Sequence, residues 1–183
     1  MDQTAWLAAW LMFGVVPVAA AQTAQAAKLT GLPEAVHVMV TVDSLAQAAG
    51  VNEDTLRAQV ESRLREEGFS VMTVFAGSNL IVEVHAFQVS TTAMLVYDVG
   101  LEYRTFAIPA RQLSAMIRGL PDRAQIPVGE LAPLVQRSVD VALYRRAVYG
   151  VGPRKQAGAV ANVVMRNLQV FVSDFRSVNP PER

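Results

Sequence analysis

Cysteine is absent from the 183 residues. That excludes a disulfide framework, a thiolate metal site, a cysteine nucleophile and a lipidated cysteine behind a signal sequence. Histidine is nearly as scarce, His37 and His85 being the two in the chain, which leaves little material for a Ser-His-Asp triad, and no serine stands in a G-x-S-x-G elbow. Lysine occurs only at Lys28 and Lys155 against fourteen arginines, a bias we assign to codon composition rather than to chemistry. Net charge of either sign is missing too. Sixteen basic residues balance sixteen acidic ones and the isoelectric point is near 6.7, so no global field gathers nucleic acid or anionic lipid, and nucleic acid is not an expected partner. Gly and Pro, at 11 and 9 residues, are too few for a fibrous chain, and 52% apolar residues are too many for a disordered one.

What the sequence does contain begins with Ala5 to Ala21, seventeen residues without a charge, followed by small and polar residues up to Ala27. The pattern is that of a signal-peptide apolar region, with Ala19-Ala20-Ala21 or Ala24-Gln25-Ala26 as the cleavage site. As a helix the run would reach about 25 Å, short of the roughly 30 Å hydrocarbon core, and Pro17 would interrupt it. Asp2 stands before the run where positive charge is usual, so an uncleaved anchor is the alternative. Residues 1–26 are therefore expected to be a signal peptide or N-terminal anchor. Residues 33–180 are expected to form one domain, opened by Gly31-Leu32-Pro33 and exported to the periplasm or a like compartment, membrane-anchored if the leader stays.

Within the domain, Val36, Val38, Val40 and Val42 alternate with His37, Met39, Thr41 and Asp43, the period of a half-buried strand. Asn52 caps a helix expected over about 53–67, with Leu56, Val60 and Leu64 four apart and Gly68 at its end. Its charged side, with spacings such as Arg57/Glu61 and Glu61/Arg65, is a solvated face. Phe69–Phe75 and Leu80–Val89 flank the turn composition Ala76-Gly77-Ser78-Asn79 and predict a hairpin. From Ala93 to Phe106, Leu95, Tyr97, Val99, Leu101 and Tyr103 face one way and Met94, Asp98, Glu102 and Arg104 the other, a long strand with one wet face. Segment 107–138, punctuated by Pro109, Pro121, Pro127 and Pro133, reads as an irregular insertion. Val139, Val141 and Leu143 resume the alternation, and Tyr149-Gly150-Val151-Gly152-Pro153 predicts a loop. A helix over about 157–176 carries Val160, Val164, Leu168, Phe171, Val172 and Phe175, and its Arg166, Asp174 and Arg176 oppose a membrane span. The sum is an α+β two-layer sandwich, a largely antiparallel sheet of four to five strands with both helices on one face.

Two stretches carry a resemblance. Glu61-Ser62-Arg63-Leu64-Arg65-Glu66-Glu67-Gly68 resembles the E-x-R-L-R-x-x-G helix end of uncharacterised exported bacterial proteins, and Phe171 to Pro180 is similar to their closing F-x-x-D-aromatic and V-N-P. The layout is similar at fold level to small periplasmic accessory domains, such as the N-terminal domain of the Tol β-propeller protein and the auxiliary lipoproteins of ABC transporters. That likeness implies a partner-binding role and transfers no catalytic residue.

Candidate sites are few. His37, Glu83 and His85 would make a zinc set if their strands were neighbours, although scattered polar residues on a wet sheet face give such trios by chance. Arg145, Arg146, Arg154 and Lys155, interleaved with Tyr144 and Tyr149, form one local basic patch, suited to phosphate, lipid headgroup or protein contact. The same charges would also keep a sheet edge from pairing. The expected function is non-enzymatic: an exported accessory or scaffold subunit of a cell-envelope assembly, without a cofactor or metal, meeting a protein partner through the wet sheet face (Met94, Asp98, Glu102, Arg104) and segment 107–138, with Arg145, Arg146, Tyr149, Arg154 and Lys155 as a further interaction patch. A small-ligand or lipid-binding module, with its ligand between the sheet and segment 107–138, is the alternative.

Overall fold

The alternation of valines in the first strand places one row toward apolar cover and the other toward water, and the structure, a computed structural model, follows it. Residues 24–74, 77–89, 94–108, 111, 114, 138–153 and 157–180 are described. β1 spans Ala35–Val42, α1 Ser44–Ala48, α2 Glu53–Glu66, β2 Ser70–Met72, β3 Ser78–Gln88, β4 Met94–Ala107, β5 Val139–Pro153 and α3 Ala157–Val178. The five strands form one open sheet in the order β2-β1-β3-β4-β5.

That order corrects the expected hairpin over 69–89. β1 lies between β2 and β3 and runs parallel to both, with Val36 opposite Val71 and Val38 opposite Leu80. Each β1–β2 and β1–β3 pairing buries a valine row, whereas a β2–β3 hairpin would leave one side of β1 without hydrogen-bond partners in the middle of the sheet. The sheet is thus mixed. Its antiparallel part is β3-β4-β5, with eleven paired positions between β3 and β4.

A second correction concerns Tyr149–Pro153, which is strand and not loop. Met94 to Asp98 of β4 supply a partner along its whole length, from Asp98 opposite Tyr149 to Met94 opposite Pro153, and cross-strand pairing overrides the local breaking tendency of Gly150 and Gly152. The register shifts between Tyr103 and Arg104, a bulge that places Leu143 of β5 between the positions opposite them.

Core and cover follow the periodicities. Val36, Val38, Val40 and Val42 join Leu80, Val82 and Val84, and Leu95, Val99 and Leu101, in one cluster with Leu56, Val60 and Leu64 of α2 and Val160, Val164, Leu168, Phe171 and Phe175 of α3. Both long helices therefore lie on the same face. At one end Phe69, Tyr103, Tyr144, Phe171 and Phe175 form an aromatic knot, with ring centroids 4.9 Å apart for Phe69–Phe175 and 5.5 Å for Tyr103–Phe171. Arg176 closes it, its guanidinium 5.2 Å over the Phe69 ring and bonded to Glu34 and to the Glu67 carbonyl.

Caps set the joints. The Asn52 side chain accepts from Thr55 N at 2.8 Å, and Gly68, just past α2, takes φ +87°. On the α2 surface Glu61–Arg65 pair as expected, while Arg57 reaches back to Glu53, the favoured Glu-to-Arg direction. The body starts earlier than Pro33. Leu29 is fully buried, and Asn179 donates to its carbonyl at 2.8 Å and accepts from Gly31 N at 2.7 Å. Of the expected leader, residues 1–26, only 24–26 are described, in a helical turn with Ala26 buried; its residues 1–23, and nearly all of segment 107–138, lie outside the described residues.

Candidate protein-contact surface

Because strand side chains alternate, the residues that do not enter the core share the sheet's open face, and register arranges them in rows. Phe87 of β3 stands opposite Val96 of β4, which stands opposite Val151 of β5. Phe87 is 57% exposed and Val151 67%, so three strands present one apolar row to solvent. The next row is His85, Asp98 and Tyr149, the tyrosine 71% exposed. Then come Glu83, Gly100 and Ala147, and after them Ile81, Glu102 and Arg145.

The charged end of this face satisfies itself. Arg104 bonds Asp140 at 3.0 Å and Glu102 at 3.1 Å, and Arg145 Nε reaches the other Glu102 oxygen at 3.1 Å. Four charges on adjacent strands thus pair off, which leaves the apolar row and Asp98 as unsatisfied parts of the surface. Asp98 Oδ1 is buried with no hydrogen-bond partner among the described residues, beside the exposed Tyr149.

The expected Arg145–Lys155 patch does not form as one surface. Arg145 and Arg146 are adjacent on a strand and point to opposite faces. Arg145 lies on the open face, while Arg146 turns under α3 and donates from Nε to Asn167 Oδ1 at 3.0 Å. Tyr144 is buried, its hydroxyl donating to Asp174 at 3.0 Å; burial first, and then the Asp174 charge, push its pKa well above the usual tyrosine range. Arg154 and Lys155 lie outside the described residues. Asp98, Glu102, Arg104, Arg145 and Tyr149 do share the open face, and these five are what the structure brings together.

The zinc trio also separates. β1 and β3 are neighbours, but Glu83 stands opposite Thr41, four residues or about 13 Å along the strand from His37. His37 Nδ1 meets Asn79 Oδ1 at 3.1 Å, and His85 Nδ1 sits 3.8 Å from Asp43 Oδ2. Asp43 is structural: Oδ1 accepts from Ala46 N to cap α1, and Oδ2 accepts from Ala86 N.

Pattern reading missed two features. One is the Phe87–Val96–Val151 row, because alternation assigns faces without saying which strands lie side by side. The other is a cleft between α2 and α3, an apolar part of about 180 Å³ over Leu56 and Ala161 that continues as an open, mostly apolar groove of about 470 Å³ past Met165, rimmed by Arg63 and Asn162. Gly158 and Ala161 on α3 were the signal, since small residues let the helices part without filling the gap.

No family model, curated protein or solved structure matches the chain.

Proposed function

We propose that this protein is a non-enzymatic, exported accessory or scaffold subunit of a cell-envelope assembly, which binds a protein partner through the open face of its sheet. The observation that supports this reading is the row Phe87–Val96–Val151 beside Tyr149, exposed at Phe87 and Val151 and half-buried at Val96 between them. A face that holds its charges in internal pairs but leaves a three-strand apolar row in water is built as a contact surface. The charge-free run before Gln22 supports export. The ligand-binding alternative has weaker support. The α2–α3 cleft, with an inner part of about 180 Å³ and an outer, mostly apolar part of about 470 Å³, reaches the roughly 300–1,000 Å³ usual for small-molecule sites but lies open along its length, whereas such sites bury most of their ligand.

The test is site-specific photocrosslinking of the full chain in its native cells, with the crosslinker at Phe87 or, as a control on the far side, at Arg57. A discrete heavier adduct from Phe87 and none from Arg57, in the envelope fraction, is expected. Native protein found in the cytosol with Met1 intact, or no adduct from the open face, overturns the proposal.

A further inference from the structure

The sheet ends on one side at the three-residue β2 and on the other at the fifteen-residue β5. Among the described residues nothing pairs with the outer side of β5. Which of its backbone groups face outward follows from the ladder. Val89 N donates to Met94 O, and Phe106 N to Gly77 O, so the even-numbered residues of β4 turn their backbone toward β3 and the odd ones toward β5. The odd residues Leu95 to Tyr103 stand opposite Gly152, Val148, Arg146 and the other even positions of β5. Arg145, Ala147, Tyr149 and Val151 therefore direct N–H and C=O to the free edge. Pro153 falls in the same set, the one place where its missing N–H costs the ladder nothing.

The two halves of that edge are treated differently. Asp140 and the bulge at Leu143 protect the first half by the usual means, charge and irregularity. From Ala147 to Gly152 there is neither a charge nor a bulge, and Tyr149 and Val151 are the most exposed large apolar side chains of the strand. An edge protected over one half and left bare over the other is selective.

We infer that residues 145–153 of β5 accept an extended segment of the partner as a sixth strand, and that this segment carries apolar residues at alternate positions and a carboxylate opposite Arg145. The inference rests on the partner-binding reading above and deepens it. Main-chain bonds to Ala147, Tyr149 and Val151 supply the attachment, and an apolar residue beside Val151 extends the Phe87–Val96–Val151 row by one strand. The carboxylate follows from charge. Arg145 is 70% exposed on its side chain and is held at Nε alone by Glu102, so its two terminal nitrogens stay open to a carboxylate from an added strand. A second copy of β5 does not complement it, because no acidic residue occurs between Tyr144 and Pro153.

The experiment places p-benzoylphenylalanine at Tyr149 in the full chain in its native cells and compares three backgrounds. Val151→Pro removes one outward N–H and no ladder bond, and should reduce the Tyr149 adduct at least tenfold while the melting temperature stays near that of the parent. Val151→Thr keeps the N–H and should retain the adduct. Arg145→Glu, which leaves the backbone untouched and serves if the proline variant does not fold, should weaken the adduct at least threefold, and added salt should weaken the parent's adduct toward the same level. An adduct indifferent to both Val151→Pro and Arg145→Glu, or one composed of two copies of this chain, overturns the edge inference. If a heterologous adduct from Phe87 persists in that case, the partner-binding reading survives without it; if neither position gives an adduct, both fall.

Discussion

The two faces of this sheet are built from the same strands, residue by residue in turn, yet they solve different problems. On the covered face the large apolar side chains pack between strand and helix, and Tyr144 and Arg146 are tied to Asp174 and Asn167, although the Tyr97 hydroxyl and the Asn167 amide nitrogen are buried without a hydrogen-bond partner among the described residues. On the open face Arg104, Glu102, Asp140 and Arg145 cancel one another, while Phe87 and Val151 remain in water. The contrast teaches where stability and recognition reside: the covered face determines whether the chain folds, and the open face is free to be chosen for contact.

The sharpest way to break the comparison is to cut the covered face. Phe171 is fully buried and touches Phe69, Tyr103, Tyr144 and Phe175, so Phe171→Ala should cost about 3–5 kcal/mol and lower the melting temperature by roughly 10 °C, read by thermal or urea unfolding. A smaller loss should follow at the joint between α2 and β2. At Gly68, φ is +87° and an added Cβ would lie 3.0 Å from the Arg176 guanidinium that caps the knot, so Gly68→Ala should cost about 1–2 kcal/mol by the same measurement.

An alkaline titration sharpens the contrast in another way. Tyr144, by burial and the Asp174 charge, and Tyr97 and Tyr103, by burial, have pKa values raised above 10 in the folded protein. A raised folded-state pKa contributes stability that is complete below about pH 10 and is lost as pH climbs through the folded value. The urea midpoint should therefore fall above about pH 10, and Tyr144→Phe should flatten that fall without abolishing it. The smallest effect belongs to the open face: Phe87→Ser should change stability by less than about 0.5 kcal/mol while reducing partner crosslinking from Tyr149.

How much of this was legible depends on the kind of information each element carries. Val36 to Val42, Leu56 to Leu64 and the odd residues Leu95 to Tyr103 of β4 announced their buried sides by period alone, and the structure keeps each of them. Adjacency was not legible. Phe69 to Val89 has hairpin composition, yet β1 passes between its two strands, because periodicity records which side of a strand is buried and nothing about its neighbour. Tyr149 to Pro153 has loop composition and becomes strand because β4 is long enough to hold it. α1 was legible and unread, since Asp43 ahead of Ser44 and Gly50 at φ +97° after it mark both ends of a short helix. Among the candidate site residues, Arg145 and Arg146 looked like one patch in a line of text, and the pleat separated them.

Asn179 joins the Leu29 carbonyl and the Gly31 amide across nearly the whole length of the polypeptide. A clasp between the opening coil and the end of α3 closes only when both have formed, so Leu29 stays unsealed until the last described helix is in place.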